Sequence, residues 1–294
     1  MPRIAYVNGA YRHLADAAVH VEDRGYQFAD GVYEVCAVLG GQLLDQDAHL
    51  DRLAYSLDCL AIRWPVARAA MAVILNRVVA RNRLRDGLVY IQVSRGVAPR
   101  DHPFPGPATP PSLVVTARPL DFRAVVARQR AGIGVKTLAD QRWARCDIKS
   151  IALLPNVVAK QAARAAGAYE AWLVDADGKI TEGASTNAWI ITQKGVLVSR
   201  HVGPQILRGI TRTSLLGIAD ALDLRIEERP FSLAQARRAA EAFSTSSSNF
   251  LLPVTAIDGR AIGNGRPGPI TAKLLRAYWR EVARQTGVNY HRQG

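Results

Sequence analysis

The chain has 294 residues, of which 49% are hydrophobic, and it carries a formal net charge of +13. This composition is ordinary for a folded globular protein and excludes an intrinsically disordered chain. Its apolar runs are too short to span a bilayer, and no apolar core follows the first residues. We therefore expect neither membrane insertion nor an export signal, and we expect a cytoplasmic protein.

The positive charge raises the question of a nucleic-acid partner. The 32 arginines and six lysines are scattered, however, and their longest run is the pair Arg237-Arg238. We therefore expect small-molecule partners and no nucleic acid. The three cysteines, Cys36, Cys59 and Cys146, form no CxxC pair, so we expect buried free thiols and no metal site.

The first half of the chain alternates between hairpin and helix patterns. Asn8-Gly9 between apolar residues favours a type I′ turn, and Gly40-Gly41 after the apolar run 32–39 favours a second hairpin. Apolar residues then recur at helical spacing, and they give way to strand patterns on either side of a proline-rich loop. We predict helices over residues 47–62 and 66–84, and strands over 88–93 and 113–116.

A polar, arginine-rich stretch at 118–131 indicates a domain boundary, and strands and helices follow it. The predicted strands cover 134–138, 171–174, 179–181, 188–192 and 196–199, and the predicted helices cover 155–166, a segment from about 210, and 270–286. Hairpins with segregated helices predict an α+β protein with mostly antiparallel sheets. We predict a smaller N-terminal domain over 1–120, a linker over 121–131 and a larger, cofactor-binding domain over 132–294.

Two titratable residues stand out by their surroundings. Lys149 is a single ammonium among the apolar residues of 148–154. It is either a lysine whose stem packs on the core or a partly desolvated amine able to form a Schiff base. Glu182 follows a hairpin and is either an ordinary loop residue or a carboxylate held against a pyridinium nitrogen.

Three further segments contain candidate anion ligands. Gly209 precedes the apolar stripe of a helix, whose first N–H groups, at Ile210 and Thr211, can bind phosphate. The hydroxyl-rich run 244–248, which includes Thr245 and Ser246, is either a phosphate-binding segment or a flexible surface loop. Arg52 lies beside the apolar stripe of the first long helix, where it could meet a buried anion.

Arg100 and His102 lie in the proline-rich loop. Prolines hold the segment extended, and residues two apart in an extended chain point to the same side. A guanidinium and an imidazole that face one target would bind a carboxylate. The alternative is a pair of solvated loop cations.

Together and in this order, these motifs resemble the fold-type IV pyridoxal-phosphate enzymes, and among them the D-amino acid aminotransferases. The resemblance covers nearly the whole chain. It depends on the segments 22–34, 100–102, 142–150, 182–187 and 209–212. It implies a two-domain fold with pyridoxal phosphate at the domain interface, and transamination between a D-amino acid and a 2-oxo acid.

The resemblance also implies a role for each candidate residue. Lys149 would hold the cofactor and act as the catalytic base, and Glu182 would pair with its ring nitrogen. Leu207 would pack on the ring. The phosphate ligands would be Arg52, Ile210, Thr211, Thr245 and Ser246, and the substrate carboxylate would bind Tyr33, Arg100 and His102. The family further implies a homodimer in which the Arg100–His102 loop can act in the partner's site.

Two relatives on the same fold remain as alternatives. A branched-chain L-amino acid aminotransferase would use the same cofactor residues, and so would an aminodeoxychorismate lyase. Neither is expected to have the Arg-x-His pair at 100–102, so this pair favours the D-amino acid enzyme. Sequence does not rank the D-amino acid donors.

Overall fold

The computed structural model describes residues 3–292, which divide into two compact units. Unit 1 contains residues 3–121 with the short segments Ile148–Ala152 and Gln285–Val288. Unit 2 contains Phe122–Asp147, Leu153–Arg284 and residues 289–292. The sequence analysis assigned both short segments to the second domain, so Lys149 lies in the unit to which the sequence did not assign it.

Unit 1 is a six-stranded sheet with helices. Its described strands are β1 (Ile4–Val7), β2 (Ala10–His13), β3 (Gly31–Leu39), β4 (Gln42–Leu43), β5 (Gly87–Ser94) and β6 (Ser112–Pro119). Its described helices are α1 (Arg24–Phe28), α2 (Gln46–Cys59) and α3 (Arg68–Arg81), with a 3-10 turn at Leu14–Asp16. The strand order is β2-β1-β6-β5-β3-β4, and the pairs described are all antiparallel.

The hairpins and helices predicted for this unit are confirmed. Asn8 and Gly9 both have positive φ, 44° and 97°, as a type I′ turn requires. Alternate residues of β3 face the core, where they meet the apolar stripe of α2. The buried members of this contact include Val32, Cys36, Val38, Leu50, Leu53 and Leu57.

Unit 2 is a larger mixed sheet with helices. Its described strands are β7 (Ile133–Ala139), β8 (Glu170–Val174), β9 (Lys179–Gly183), β10 (Asn187–Ile191), β11 (Leu197–Ser199), β12 (Ile226–Glu228), β13 (Phe231–Ser232), β14 (Glu241–Ser246), β15 (Phe250–Ile257) and β16 (Arg260–Ala261). Its described helices are α4 (Phe122–Ala131), α5 (Leu154–Ala165), α6 (Ile210–Asp220), α7 (Leu233–Arg237) and α8 (Pro269–Thr286), with a 3-10 turn at Tyr290–Arg292.

The strand order in unit 2 is β12-β11-β10-β14-β15-β7-β8-β9-β13, and β16 pairs with β15. Among the described pairs, β7 runs parallel to β8 and to β15, and β11 runs parallel to β12. The other pairs of this sheet are antiparallel. The α+β class with mostly antiparallel sheets is therefore confirmed.

The stretch predicted as a linker is helical. Residues 122–131 form α4, because Phe122, Val125, Val126 and Gln129 recur at helical spacing and are buried. The arginines between them form the exposed remainder of the helix and made the stretch look like a solvated connection. Its position in unit 2 gives that unit a helix that sequence reasoning missed.

The hydroxyl-rich run begins in a strand, so the flexible-loop alternative does not hold for its first three residues. Residues 244–246 are not a loop but the end of β14, which pairs with β10 and β15. Ser244 and Thr245 are both buried, and their hydroxyls accept hydrogen bonds from Trp172 and Trp189 respectively. The short elements α1, α7, β12, β13 and β16 were missed as well, because segments of two to five residues contain too little periodicity to detect.

The sequence also led us to expect buried cysteines and no membrane-spanning helix. Cys36 is buried, but Cys59 is exposed and Cys146 only half-buried, so buried thiols were predicted correctly for one cysteine of three. Within residues 3–292, no helix has the length and apolar character needed to cross a bilayer.

Candidate functional site

Lys149 is held in unit 1 by a short pairing with the start of β3. The amide of Tyr33 donates to the Lys149 carbonyl at 3.0 Å, and the amide of Ile151 donates to the Gly31 carbonyl at 3.0 Å. On the other side, the Lys149 amide donates to Ser56 Oγ at 3.2 Å. The backbone at position 149 is therefore fixed from two directions.

The lysine amine lies over an aromatic ring. Its Nζ is 4.2 Å from the centroid of Tyr33, which stacks on Tyr90 at 5.6 Å. Burial and the neighbouring Tyr33 raise the pKa of Tyr90 to about 12. Among the residues that the structure describes, no carboxylate forms an ion pair with Lys149. An amine in a half-buried aromatic setting, without a counter-ion, can serve as a nucleophile.

Arg52 lies on α2 and is buried against Glu34 of β3. Its Nε donates to Glu34 Oε1 at 2.7 Å and its Nη2 to Glu34 Oε2 at 2.8 Å, while His49 Nδ1 lies 2.7 Å from Oε2. Burial alone would raise the pKa of Glu34, but the charge and hydrogen bonds of Arg52, with His49, lower it well below its usual range. The sequence-predicted phosphate ligand is thus oriented by a carboxylate that sequence reasoning missed.

Arg100 and His102 lie on the exposed loop between β5 and β6. The Arg100 guanidinium lies 4.9 Å from the ring centroid of Phe28, and the His102 ring lies 5.5 Å from the same centroid. Both predicted carboxylate ligands therefore contact one aromatic ring of unit 1. Tyr33, the third predicted ligand, lies on β3 of the same unit.

Glu182 is the penultimate residue of β9 in unit 2, where it accepts several hydrogen bonds. The Leu207 amide donates to its two oxygens at 3.2 and 3.1 Å, and Asn187 Nδ2 donates to Oε2 at 2.7 Å. The Asn187 amide also donates to the Leu207 carbonyl at 2.9 Å. Glu182 and Leu207, both predicted site residues, are thus joined through Asn187, which sequence reasoning did not assign to the site.

Arg142 was also missed, and it is bonded to Glu182. Its Nη1 donates to Glu182 Oε1, and its Nε and Nη2 donate to Asp140 at 2.9 and 2.8 Å. Burial lowers the pKa of Arg142, but the hydrogen bonds to Asp140 and the charge of Glu182 outweigh it and raise the pKa above its usual value. The signal available in sequence was the arginine seven residues before Lys149 in the motif 142–150.

The N-terminus of α6 completes this part of unit 2. Gly209 is its N-cap residue and provides no side-chain cap, so the first amides of the helix, at Ile210 and Thr211, are available to an anion. A Cβ at Gly209 would lie 2.1 Å from Asn187 Oδ1. Only glycine therefore lets the helix start approach the amide that holds Glu182.

The strand register places the hydroxyl candidates beside the same group. Thr245 pairs with Asn187 across β14 and β10, and its Oγ1 accepts a hydrogen bond from Trp189 Nε1 at 3.0 Å. Ser246 follows it and is half-buried, with Oγ 3.5 Å from Ser248 Oγ. Unit 2 therefore brings Glu182, Leu207, the start of α6 and Thr245 together around Asn187.

This grouping fits pyridoxal phosphate. The cofactor has a basic ring nitrogen at one end and a phosphate at the other. A buried carboxylate suits the first, and uncapped helix amides with hydroxyls suit the second. The lack of a Cβ at Gly209 supplies the close backbone approach.

Comparison with known proteins agrees with this chemistry. The model of the family described as "Amino-transferase class IV" matches residues 31–257. A protein of Bacillus licheniformis named D-alanine aminotransferase is 39% identical over 279 residues, covering 95% of this chain and 97% of its own. A D-alanine aminotransferase of Listeria monocytogenes is 38% identical and covers 96% of each chain.

Solved structures show a likeness of fold. A branched-chain amino acid aminotransferase from T.th., in complex with N-(5'-phosphopyridoxyl)-L-glutamate, matches with a TM-score of 0.85 and 26% identity. The match covers 98% of this chain and 95% of that one. A cofactor derivative is thus bound on this fold in a protein similar to this chain.

Proposed function

The chain belongs to the class IV aminotransferases, and from that premise we propose how its residues transfer an amino group from a D-amino acid to a 2-oxo acid. The reaction is pyridoxal-phosphate-dependent transamination of D-amino acids. The observation that carries it is the 39% identity, over nearly the whole of both chains, to an enzyme named D-alanine aminotransferase. The proposed amino donors are of the D-alanine and D-glutamate type. The proposed acceptors are of the pyruvate and 2-oxoglutarate type.

Lys149 is the catalytic residue of this proposal. When bound, pyridoxal phosphate supplies an aldehyde that condenses with amines and a ring that accepts the electron pair left at Cα. Lys149 would hold the cofactor through its amine, which an incoming amino acid would release. Its freed amine then takes the proton from Cα of the amino acid as a general base. The hydrogen bonds to Tyr33 and Ser56 fix the backbone from which the Lys149 side chain extends.

Glu182 would pair with the ring nitrogen of the cofactor and would keep it protonated. Its oxygens are fixed by Asn187 and by the Leu207 amide, and Arg142 supplies the positive charge that a buried carboxylate needs. Leu207 would pack on the ring. The phosphate would be bound by the amides of Ile210 and Thr211, the hydroxyls of Thr245 and Ser246, and the Arg52 guanidinium, which Glu34 orients.

The substrate carboxylate binds Tyr33, Arg100 and His102. Fixing the carboxylate determines which substituent of Cα faces the Lys149 amine, so this clamp selects the enantiomer whose proton can be removed. The second half-reaction runs in reverse with another oxo acid, which predicts ping-pong kinetics.

The enzyme acts as a homodimer in the cytoplasm. Arg100 and His102 are exposed on the single chain, which suits a loop whose ligands complete a site on a second copy. On this proposal, each loop binds the substrate of the partner subunit.

Initial rates with two donors test the proposed function. The purified holoenzyme is supplied with 2-oxoglutarate and either D-alanine or L-leucine, and formation of the corresponding oxo acid is measured. We expect turnover of D-alanine to exceed that of L-leucine by at least about a hundredfold. In the wrong enantiomer, the Cα proton would point away from the Lys149 amine and could not be transferred to it. Faster turnover of L-leucine would reject the proposal in favour of a branched-chain L-aminotransferase, whose solved structures this chain resembles in fold.

A lyase on the same fold is tested by a separate assay of the same holoenzyme with aminodeoxychorismate. An aminodeoxychorismate lyase releases pyruvate from its substrate without an amino acceptor. We therefore expect no pyruvate from aminodeoxychorismate when the oxo acid is omitted, and release under those conditions would support the lyase instead.

A further inference from the structure

A buried arginine lies behind the loop that contains Arg100 and His102. Arg24 begins α1, whose N-cap Asp23 accepts a hydrogen bond from the Gly25 amide at 2.8 Å. The Arg24 side chain is only 4% exposed. A guanidinium removed from water requires protein acceptors for its donors, so the positions of those acceptors are informative.

The acceptors lie on the loop itself. Arg24 Nη1 donates to the Asp101 carbonyl at 2.6 Å and Nη2 to the His102 carbonyl at 3.2 Å. Among the hydrogen bonds of residues 3–292, these two are the ones that join the backbone of 99–105 to another segment. The planar fork of one arginine therefore fixes two successive peptides of a loop in which prolines preclude regular structure.

Arg24 is itself anchored through Asp30. Its Nε donates to Asp30 Oδ2 at 2.8 Å, and Arg95 donates to both oxygens of Asp30 at 2.8 and 3.0 Å. Arg95 also donates to the carbonyls of Leu60 and Ala61, at 2.7 and 3.1 Å, beyond the end of α2. The loop backbone is thus connected to the body of unit 1 through a continuous chain of buried polar contacts.

The charge at Asp30 is maintained by the same arginines. Burial raises the pKa of Asp30, but hydrogen bonds from Arg95 and Arg24, with their charges, outweigh burial and lower it. The anchor therefore stays ionised at neutral pH, and it balances two cations behind the loop.

The loop side chains share a contact with Arg24. Phe28, at the end of α1, has the Arg24 guanidinium 4.7 Å from its ring centroid. Arg100 and His102 contact this same ring. The carbonyls of Asp101 and His102 and the side chains of Arg100 and His102 therefore all contact residues of the short helix α1.

We propose that Arg24 is a positioning residue that holds the loop 100–102 in the conformation that binds the substrate carboxylate. The inference rests on the proposed role of Arg100 and His102. Arg24 is buried and bonds the loop backbone, so it acts through that loop and not on the substrate. Its loss should weaken carboxylate binding more than it slows the chemical step.

The test uses the holoenzyme with Arg24→Met, which removes the guanidinium, and Arg24→Lys, which keeps a positive charge but lacks the planar fork of donors that faces the two carbonyls and Asp30. Arg77→Met, at an exposed position of α3, is the matched control. Four quantities are measured: KM and kcat for D-alanine, the dissociation constant of propionate as a non-reacting carboxylate, and the hydrogen exchange of the amides in 97–110.

We expect both Arg24 variants to raise KM and the propionate dissociation constant by about tenfold, as loss of a charge-assisted hydrogen bond predicts. The value of kcat should change by less than about threefold, the visible absorbance of the bound cofactor should persist, and the loop amides should exchange faster. The Arg77→Met control should match the wild type. Should Arg24→Met fail to fold, Arg24→Lys alone decides the test.

Two outcomes would overturn the proposal. One is unchanged KM, propionate affinity and amide exchange in both Arg24 variants. The other is a parallel loss of kcat, cofactor absorbance and carboxylate binding, which marks a general structural role. Arg100→Ala is assayed alongside. If it leaves KM unchanged, the clamp itself is refuted, whereas a raised KM there with normal Arg24 variants refutes only the positioning role.

Discussion

Glu34 shows at the scale of one residue how the site controls charge. It is fully buried and bonded to Arg52 and His49, although neither partner could be matched to it from sequence alone. A buried ion pair stabilises the folded protein little more than an apolar pair of similar size does. Removal of one partner, however, leaves the other charge buried without a counter-ion, which is strongly destabilising. The pair therefore orients the Arg52 guanidinium. Replacement of Glu34 should leave that guanidinium buried without its counter-ion and lower the stability of the protein.

Glu34→Gln should destabilise the protein by about 3–5 kcal/mol at neutral pH, because it leaves Arg52 buried without a carboxylate. The pKa of Glu34 is lowered on folding from an ordinary value of 4.5. Its contribution is therefore fully present above that value and is lost as pH falls below it, since only the unfolded chain takes up the proton.

The measurement is urea unfolding of both proteins between pH 7 and pH 3. The stability difference between wild type and Glu34→Gln should be constant above about pH 5.5 and shrink below about pH 4.5. A difference that grows on acidification would contradict the direction of the pKa shift.

At the scale of elements, the start of α6 requires glycine at position 209 because of the space available and not because of its backbone conformation. Gly209 has φ of −64°, which any residue adopts, so backbone strain does not require glycine there. The requirement is space, because a Cβ would meet the Asn187 amide that holds Glu182 and Leu207.

Gly209→Ala should destabilise the holoenzyme by about 1–3 kcal/mol through overpacking and weaken retention of the cofactor by at least about tenfold. Gly217→Ala on the same helix is the matched control. A Cβ there meets no atom within 4 Å, and alanine should stabilise the helix by up to about 1 kcal/mol. Thermal unfolding and dialysis of the bound cofactor measure both effects, and equal behaviour of the two variants would contradict the steric argument.

Elements of this chain were predictable where the signal is local. The Asn8-Gly9 turn, the stripes of α2 and α3 and the strands of unit 1 follow from spacing over a few residues. β14 was missed because its polar residues Ser244 and Thr245 are buried by hydrogen bonding with partners distant in sequence, such as Trp172 and Trp189.

The same limit applies to the candidate site. Lys149 and Glu182 were predicted as site residues from their motifs, whereas residues that hydrogen-bond to the predicted site residues can lie far away along the chain. Arg142 is 40 residues from Glu182, and Arg24 is 77 residues from Asp101. No local pattern encodes such pairs, so they emerge only when the fold is known.

At the scale of the whole molecule, the homodimer proposal makes a distinctive prediction. Lys149→Ala and Arg100→Ala are each expected to be impaired. In a mixed dimer with loops acting on the partner subunit, one site receives the intact Lys149 of one chain and the intact Arg100 of the other. Such a dimer should recover up to about half the wild-type activity, because one of two sites is complete.

Co-expression of the two variants with different affinity tags, followed by purification through both tags, isolates the mixed dimer. Its kcat/KM for D-alanine is compared with each parent. Recovery supports loops that act in the partner's site. Activity no higher than that of Arg100→Ala would mean that each loop serves its own chain, and elution as a monomer would refute the dimer.

Removal of the amino group from a D-amino acid can be followed by itself in a half-reaction. The holoenzyme is mixed with D-alanine or with L-leucine in the absence of any oxo acid, and its visible absorbance is recorded. The account predicts that D-alanine converts the cofactor to its amino form, with loss of the visible band and release of about one pyruvate per site, while L-leucine leaves the band unchanged on that timescale. Loss of the band with L-leucine and not with D-alanine would contradict the account.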